Sequence, residues 1–152
     1  RQELSGLIDE LRPAALHGRG LAGALREHVG DWSRRTGIGA EVLVRGEQQI
    51  PLAIEQALLR IAQEALANVS RHSGAANARI GLRCENGHIT MTIEDDGRGF
   101  EPATAPRGVG LQSMRERAES LPGGRLTIES APGAGARVRV ACRLDEPAEG
   151  KR

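Results

Sequence analysis

The stretch Ile89-Thr90-Met91-Thr92-Ile93-Glu94-Asp95 constrains the fold more than any other part of the chain. Apolar and polar residues alternate strictly, which predicts a strand with one buried face and one wet face. The buried side ends in an acid. Asp95 shares the face of Ile89, Met91 and Ile93, while Asp96 either leaves on the other side or lies in the turn. The same alternation recurs in Ala78, Ile80, Leu82 and Cys84, in Leu126 and Ile128, and in Val138, Val140, Cys142 and Leu144. Val42 and Val44 mark a shorter strand. A sheet patterned this way needs helices against its apolar side.

Helical spacing supplies them. Leu21, Leu25, Val29 and Trp32 make the stripe of a helix over 21–35, stopped by Gly37. Trp32 reads as a core anchor, with stacking on a ligand as the rarer alternative. The longest helix runs over 51–72, with Pro51 at a first-turn position where proline is tolerated. A third covers 109–121 after a loop over 97–108. Leu4, Leu7, Ile8 and Leu11 pattern a further helix over 1–11, ended by Pro13, which opens without a cap as if cut from something longer. The tail after Asp145 is polar and expected to fray. The fold class is α+β, a sheet with helices on one face.

Composition narrows the function. Among 152 residues, 21 Lys+Arg balance 20 Asp+Glu, giving a formal net charge of +1. That balance argues against nucleic acid or an anionic membrane as the main partner. No apolar run reaches bilayer length, and Arg1-Gln2-Glu3 does not open a secretory signal, so a cytoplasmic module is expected. One Trp, one Phe and no Tyr leave no stacking platform for single strands. Cys84 and Cys142 are too few for a disulfide framework or a zinc cluster and read as buried thiols.

The long helix carries a second pattern. Ile54, Leu58, Ala62, Ala65, Leu66 and Val69 occupy one arc; Arg60, Glu64, Asn68 and Arg71 occupy the opposite one, with His72 at its edge. Glu64 and Asn68 lie one turn apart, so both can reach one hard cation, which favours oxygen ligands. Arg71 can neutralise phosphate. The plainer alternative is a solvated face with an Arg60–Glu64 pair, His72 being only a helix-end residue.

A carboxylate on an apolar face is costly unless it accepts hydrogen bonds. An adenine amino group is a suitable donor for Asp95, whereas guanine would present an acceptor; a capping or turn aspartate is the alternative. Gly97 and Gly99 follow directly, removing side chains where a flat base would lie. Gly108-Val109-Gly110-Leu111 then leads into a helix whose free N–H groups suit a polyphosphate.

Taken together, these residues resemble the ATP-binding fold shared by gyrase-type topoisomerases, Hsp90, MutL and sensor histidine kinases. Arg60-Ile61-Ala62-Gln63-Glu64-Ala65-Leu66-Ala67-Asn68-Val69-Ser70-Arg71-His72 resembles the N box of histidine kinases that signal to NarL/LuxR-type response regulators. Gly108 through Ala118, with Met114-Arg115-Glu116-Arg117, resembles their second glycine box, and Leu11-Arg12-Pro13 resembles the exit from their dimerisation helices.

The resemblance implies a Bergerat-type fold: a two-layer α/β sandwich with a mixed five-stranded sheet and helices on one face. It implies residues 1–20 as the end of a dimerisation helix and linker, 21–146 as the ATP-binding catalytic domain and 147–152 as a disordered tail. Mg²⁺ and ATP are the implied cofactors. Asn68 would hold the metal with help from Glu64; Arg71 and His72 would face the phosphates. Asp95 would take the adenine amino group above Gly97 and Gly99. Residues 100–107 would form a short lid, with Gly108, Val109, Gly110 and Leu111 on its phosphate side. The implied partners are a dimerisation domain carrying the phosphoacceptor His and a NarL/LuxR-type response regulator, with no nucleic acid and no direct membrane contact.

Two features depart from the family. Ala136, in Gly133-Ala134-Gly135-Ala136, stands where the family usually has Thr. Neither His17 nor His28 has the acidic neighbour of a phosphoacceptor, so the acceptor is expected on another domain. The alternatives are an anti-sigma serine kinase of the same fold and an inactive nucleotide-binding interaction module.

Overall fold

The computed structural model describes residues 20–46, 49–104 and 110–144. The expected helix over 1–11 with Pro13, His17, the later part of the 97–108 loop with Gly108, Val109, and the tail after Asp145 lie outside the described residues. In chain order the elements are α1 (Gly20–Thr36), β1 (Gly39–Arg45), α2 (Leu52–Asn68), β2 (Asn77–Glu85), β3 (His88–Asp95), α3 (Leu111–Glu119), β4 (Arg125–Ser130) and β5 (Ala136–Arg143).

The five strands form one mixed sheet in the order β1-β2-β3-β5-β4. β1 runs parallel to β2, so the chain must cross over between them, and α2 is that crossover. β2 and β3 are joined by Asn86-Gly87, with φ of 55° and 75°. A two-residue hairpin turn of this hand needs positive φ at both positions, which Asn-Gly supplies.

Register converts the alternation into rows. On the inner face the rows are Cys84–Ile89–Cys142, then Leu82–Met91–Val140–Leu126, then Ile80–Ile93–Val138–Ile128. All but the half-buried Ile128 are buried, and the helices cover them. Both thiols are buried and free; burial pushes the Cys142 thiol up to about 11 and raises Cys84 as well.

Two contacts fix α1 against α2. Trp32 is 3% exposed and its indole Nε1 donates to the Leu66 carbonyl at 3.0 Å, which makes it the core anchor expected. Glu55 is the buried charged residue among those described, and its Oε2 accepts the Leu21 N–H at 3.1 Å. A carboxylate at an otherwise unpaired helix N-terminus is favourable for both the N–H and the helix dipole.

The outer face of the sheet carries no helix among the described residues. One of its rows, Glu41–Arg79–Glu94–Arg137–Glu129, crosses all five strands with alternating sign. Arg79 pairs with Glu41 at 2.8 Å, and Arg137 bridges Glu94 at 2.5 Å and Glu129 at 3.5 Å. Among the described residues no helix is long and apolar enough to cross a membrane.

Several boundaries differ from expectation. Pro51 is the N-cap of α2 rather than a first-turn residue, with φ −55° and ψ 144°. The α-helix ends at Asn68 and continues as one π-helical turn, Val69–Ser73. α3 begins at Leu111, because Gly110 caps it with φ 68°. Leu144 lies just beyond β5 yet remains buried.

Candidate functional site

The inner face has a fourth row, and it differs in kind from the other three. Ala78, Asp95, Ala136 and Ser130 stand side by side in register. Three small side chains flank one carboxylate, so the large side chains that fill the rest of the interlayer space stop short here. Asp95 and Ala136 of this row line a cavity of about 240 Å³ between the sheet and α2. Ile93 and Val138 line its apolar side; Asn68, His72 and Asp95 are among its polar walls.

Asp95 and Asp96 are neighbours with opposite surroundings. Asp95 is half-buried at the cavity, and its Oδ1 accepts the Gly97 N–H at 2.8 Å. Burial holds its carboxyl above the ordinary value; the Gly97 N–H pulls it down, and the Asp96 charge pushes it up again. Asp96 is exposed and takes no part in the cavity. Its Oδ1 accepts the N–H groups of Ala76 (2.9 Å) and Asn77 (3.0 Å), and its Oδ2 accepts from Asn77 Nδ2 at 3.1 Å. The bonds from Asn77, foremost its N–H, hold this carboxyl below its ordinary value. Of the two placements open for Asp96, the turn is correct.

The π turn sorts the end of the N-box segment. Ser70 and Ser73 hydroxyls donate to the carbonyls of Ala67 (3.1 Å) and Val69 (2.7 Å), and Ser73 Oγ also accepts the Ala75 N–H at 3.0 Å. Such side-chain bonds offer the backbone an alternative to the α-helical ladder, and π turns recur at functional sites. Here the wider turn places His72 and Ser73 on the cavity wall; Arg71 is exposed and is not part of the lining. The single arc of Arg60, Glu64, Asn68 and Arg71 therefore does not persist. No ion pair joins Arg60 to Glu64 among the described residues.

Asn68 is half-buried at the cavity. The residue is engaged elsewhere, but its carboxamide oxygen is buried and accepts no hydrogen bond among the described residues. Glu64, one turn earlier, does not line the cavity. It lies against the start of α3, where any side chain at Gly110 would collide with its carboxylate. Leu111 lines the cavity from that helix. Gly108 and Val109 are outside the described residues. Among the described residues no group of three or more His, Cys, Asp or Glu could cage a metal.

The glycines also admit close backbone approach. A Cβ on Gly97 would run into the carbonyl and Cβ of Ser73, and the Arg98 N–H donates to the same carbonyl at 2.8 Å. Gly99, at φ 68°, leaves room for the Ala131 and Gly135 carbonyls. Close approach of three backbones requires these glycines, and only Gly99 also lines the cavity.

Sequence reasoning missed Ser73 and Arg98 and gave Phe100 only as the start of the lid; all three line the cavity. Phe100 is the sole Phe of the chain, and its N–H donates to Ser130 Oγ at 2.8 Å, which in turn donates to the Gly135 carbonyl at 2.8 Å. An isolated aromatic directly after Gly-Arg-Gly was the available signal.

Comparison with known proteins assigns this arrangement to a class. The chain belongs to the histidine kinase-, DNA gyrase B- and HSP90-like ATPase family, whose pattern matches residues 53–147. Its relatives include sensor histidine kinases. It is 33% identical over 141 residues to sensor histidine kinase LiaS of Bacillus subtilis, covering 92% of this chain and 39% of that protein. It is 37% identical over 122 residues to sensor histidine kinase LnrJ of the same organism, covering 80% and 30%. The chain thus spans well under half the length of these relatives. Its fold matches the blue-light activated histidine kinase of Erythrobacter litoralis with a TM-score of 0.67 at 22% identity, over 85% of this chain and 43% of that one.

Proposed function

We propose that this chain is the ATP-binding catalytic domain of a cytoplasmic two-component sensor histidine kinase, with residues 1–20 as linker, 21–146 as the domain and 147–152 as tail. It binds Mg-ATP and presents the γ-phosphoryl to a His on a dimerisation domain, for relay to a NarL/LuxR-type response regulator. The observation that carries the reading is the half-buried Asp95, set among small neighbours and facing a cavity whose opposite wall bears Asn68.

Asp95 accepts the adenine amino hydrogens, and the Gly97 N–H holds one of its oxygens in place. Ile93 and Val138 exclude water from the base. Asn68 and Glu64 offer an amide and a carboxylate oxygen along one helix edge, a donor set suited to Mg²⁺ that arrives with phosphates rather than one caged by protein. Bound there, the ion would neutralise charge on the phosphates. His72 and the N–H groups at the start of α3 face the polyphosphate. The domain's contribution is position and charge, with little covalent chemistry of its own.

Calorimetric titration with a non-hydrolysable ATP analogue tests this. Asp95→Asn lowers affinity about tenfold to a hundredfold, since a hydrogen bond to a charged group contributes roughly 1.5–3 kcal/mol. Unchanged affinity in that variant removes the adenine assignment. Asn68→Ala loses affinity chiefly when Mg²⁺ is present; an equal loss in EDTA counts against its metal role. The chain alone binds radiolabelled ATP without becoming labelled, and label on any of its residues refutes an acceptor on another domain.

A further inference from the structure

Outside the cavity, the outer face of the sheet carries no helix among the described residues. Its rows differ. The Glu41–Arg79–Glu94–Arg137–Glu129 row answers its own charges through ion pairs. The next two rows bring Arg45, Arg83 and Arg139 around Leu43, Gly81 and Thr92. None of these three arginines has a carboxylate partner among the described residues. Between them lies a shallow groove of about 330 Å³. Leu43, 50% exposed, is the exposed large hydrophobic among the described residues. Gly81 lowers the groove floor to the backbone, and a Cβ there would press on Thr92 Oγ1 at 2.9 Å.

We infer that this groove docks an acidic protein segment, an extended stretch placing carboxylates on Arg45, Arg83 and Arg139 and an apolar side chain on Leu43. The occupant follows from charge complementarity. Guanidinium forks take carboxylates in paired hydrogen bonds, and an unpaired arginine cluster gains most from an acidic partner. A nucleic acid fits less well. It needs a continuous basic track, and the glutamate-bearing row borders the groove and repels a phosphate chain continuing past it. Nucleic acid also has no use for an exposed leucine.

The test uses the whole chain and fluorescence anisotropy with two probes: a short labelled peptide of Glu and Leu, and a single-stranded oligonucleotide of equal net charge. The triple reversal Arg45→Glu/Arg83→Glu/Arg139→Glu weakens peptide binding by about tenfold or more, whereas the helix-side reversal Arg26→Glu/Arg35→Glu/Arg117→Glu changes it less than about twofold. Equal losses in the two variants reduce the effect to net charge and overturn the inference. So does absence of peptide binding by the unaltered chain, or oligonucleotide binding as tight as the peptide's. Because reversals on strands can impair folding, amide chemical shifts of the unaltered chain give a second reading. Peptide-induced changes confined to residues 41–45, 81–83, 90–92 and 137–141 support the groove, and changes centred on the helices or the cavity overturn it.

Discussion

The two faces of this sheet use the same strands for opposite purposes. Toward the helices, three rows of large apolar residues end in a fourth row of Ala78, Asp95, Ala136 and Ser130, of which Asp95 and Ala136 line the cavity. Toward solvent, the equivalent row is a five-residue ladder of alternating charge. Glu94 and Asp95 are adjacent in the chain, yet one closes a salt-bridge ladder and the other is held half-buried above its ordinary carboxylate value. On the inner face a site arises where burial stops short; on the outer face the groove over Gly81 lies open beside a row closed by its own ion pairs.

Stability separates the faces most widely. Trp32→Ala, on the helix side, removes a buried aromatic and its bond to Leu66, and costs about 3–5 kcal/mol. Leu43→Ala, on the outer face, costs about 0.5 kcal/mol or less, as expected of an exposed position. Urea unfolding monitored by circular dichroism gives both values; comparable losses would mean that the outer face is packed against something.

The next contrast lies within the Asp95–Asp96 doublet and is read by pH. A carboxyl whose folded value is raised binds its proton more tightly in the folded state. Its ionisation therefore costs stability above that value, and the cost disappears as pH falls through it. Asp96 has the reverse sign: its lowered folded value supplies stability present above the ordinary carboxylate range and lost as pH falls through the lowered value. Nucleotide binding needs ionised Asp95, so affinity falls on acidification, and it begins to fall at a higher pH than an ordinary carboxylate would impose. Asp96→Asn keeps that profile with affinity within about twofold. Asp95→Asn flattens it at low affinity. A profile that follows Asp96 instead would exchange the two roles.

These contrasts also mark how far the sequence could be read. Strict alternation predicted which residues of β2, β3, β4 and β5 face inward, and Asp95 was visible as an acid on the wrong side. The small-residue row was not, because it assembles Ala78, Asp95, Ala136 and Ser130 from four strands and exists only once register is fixed. Glu55 passes for an ordinary first-turn acid until Leu21 is brought to it. The π turn is equally hidden, since it depends on hydroxyl bonds and on the approach of Gly97 to Ser73. Gly97 and Gly99 read in the sequence as room for a flat base; that they also admit the Ser73, Ala131 and Gly135 backbones is not written in their spacing.

Ala136 tests the fourth row itself. It stands directly across from Asp95 in the ladder. Ala136→Thr returns a hydroxyl beside the carboxylate and tightens nucleotide binding by about 1 kcal/mol, or roughly fivefold. If affinity instead falls, the small side chain is serving cavity volume, and the row is tuned for space rather than for hydrogen bonding.

The smallest effect belongs to the charge ladder. Glu94 is its central residue, contacting Arg137 at 2.5 Å and Arg79 at 4.0 Å. Arg79 and Arg137 side chains are 60% and 46% exposed, so water and salt screen the pairs heavily. Exposed pairs contribute about 0.2–1 kcal/mol, and Glu94→Gln should cost an amount in that range, shrinking as salt is added. Nucleotide affinity should not move, even though Asp95 is the next residue, because the two side chains leave the strand on opposite faces. A Glu94→Gln variant that binds ATP poorly at constant stability would show the faces to be coupled through the strand, and the division of labour between them would fail at the point where it is drawn most finely.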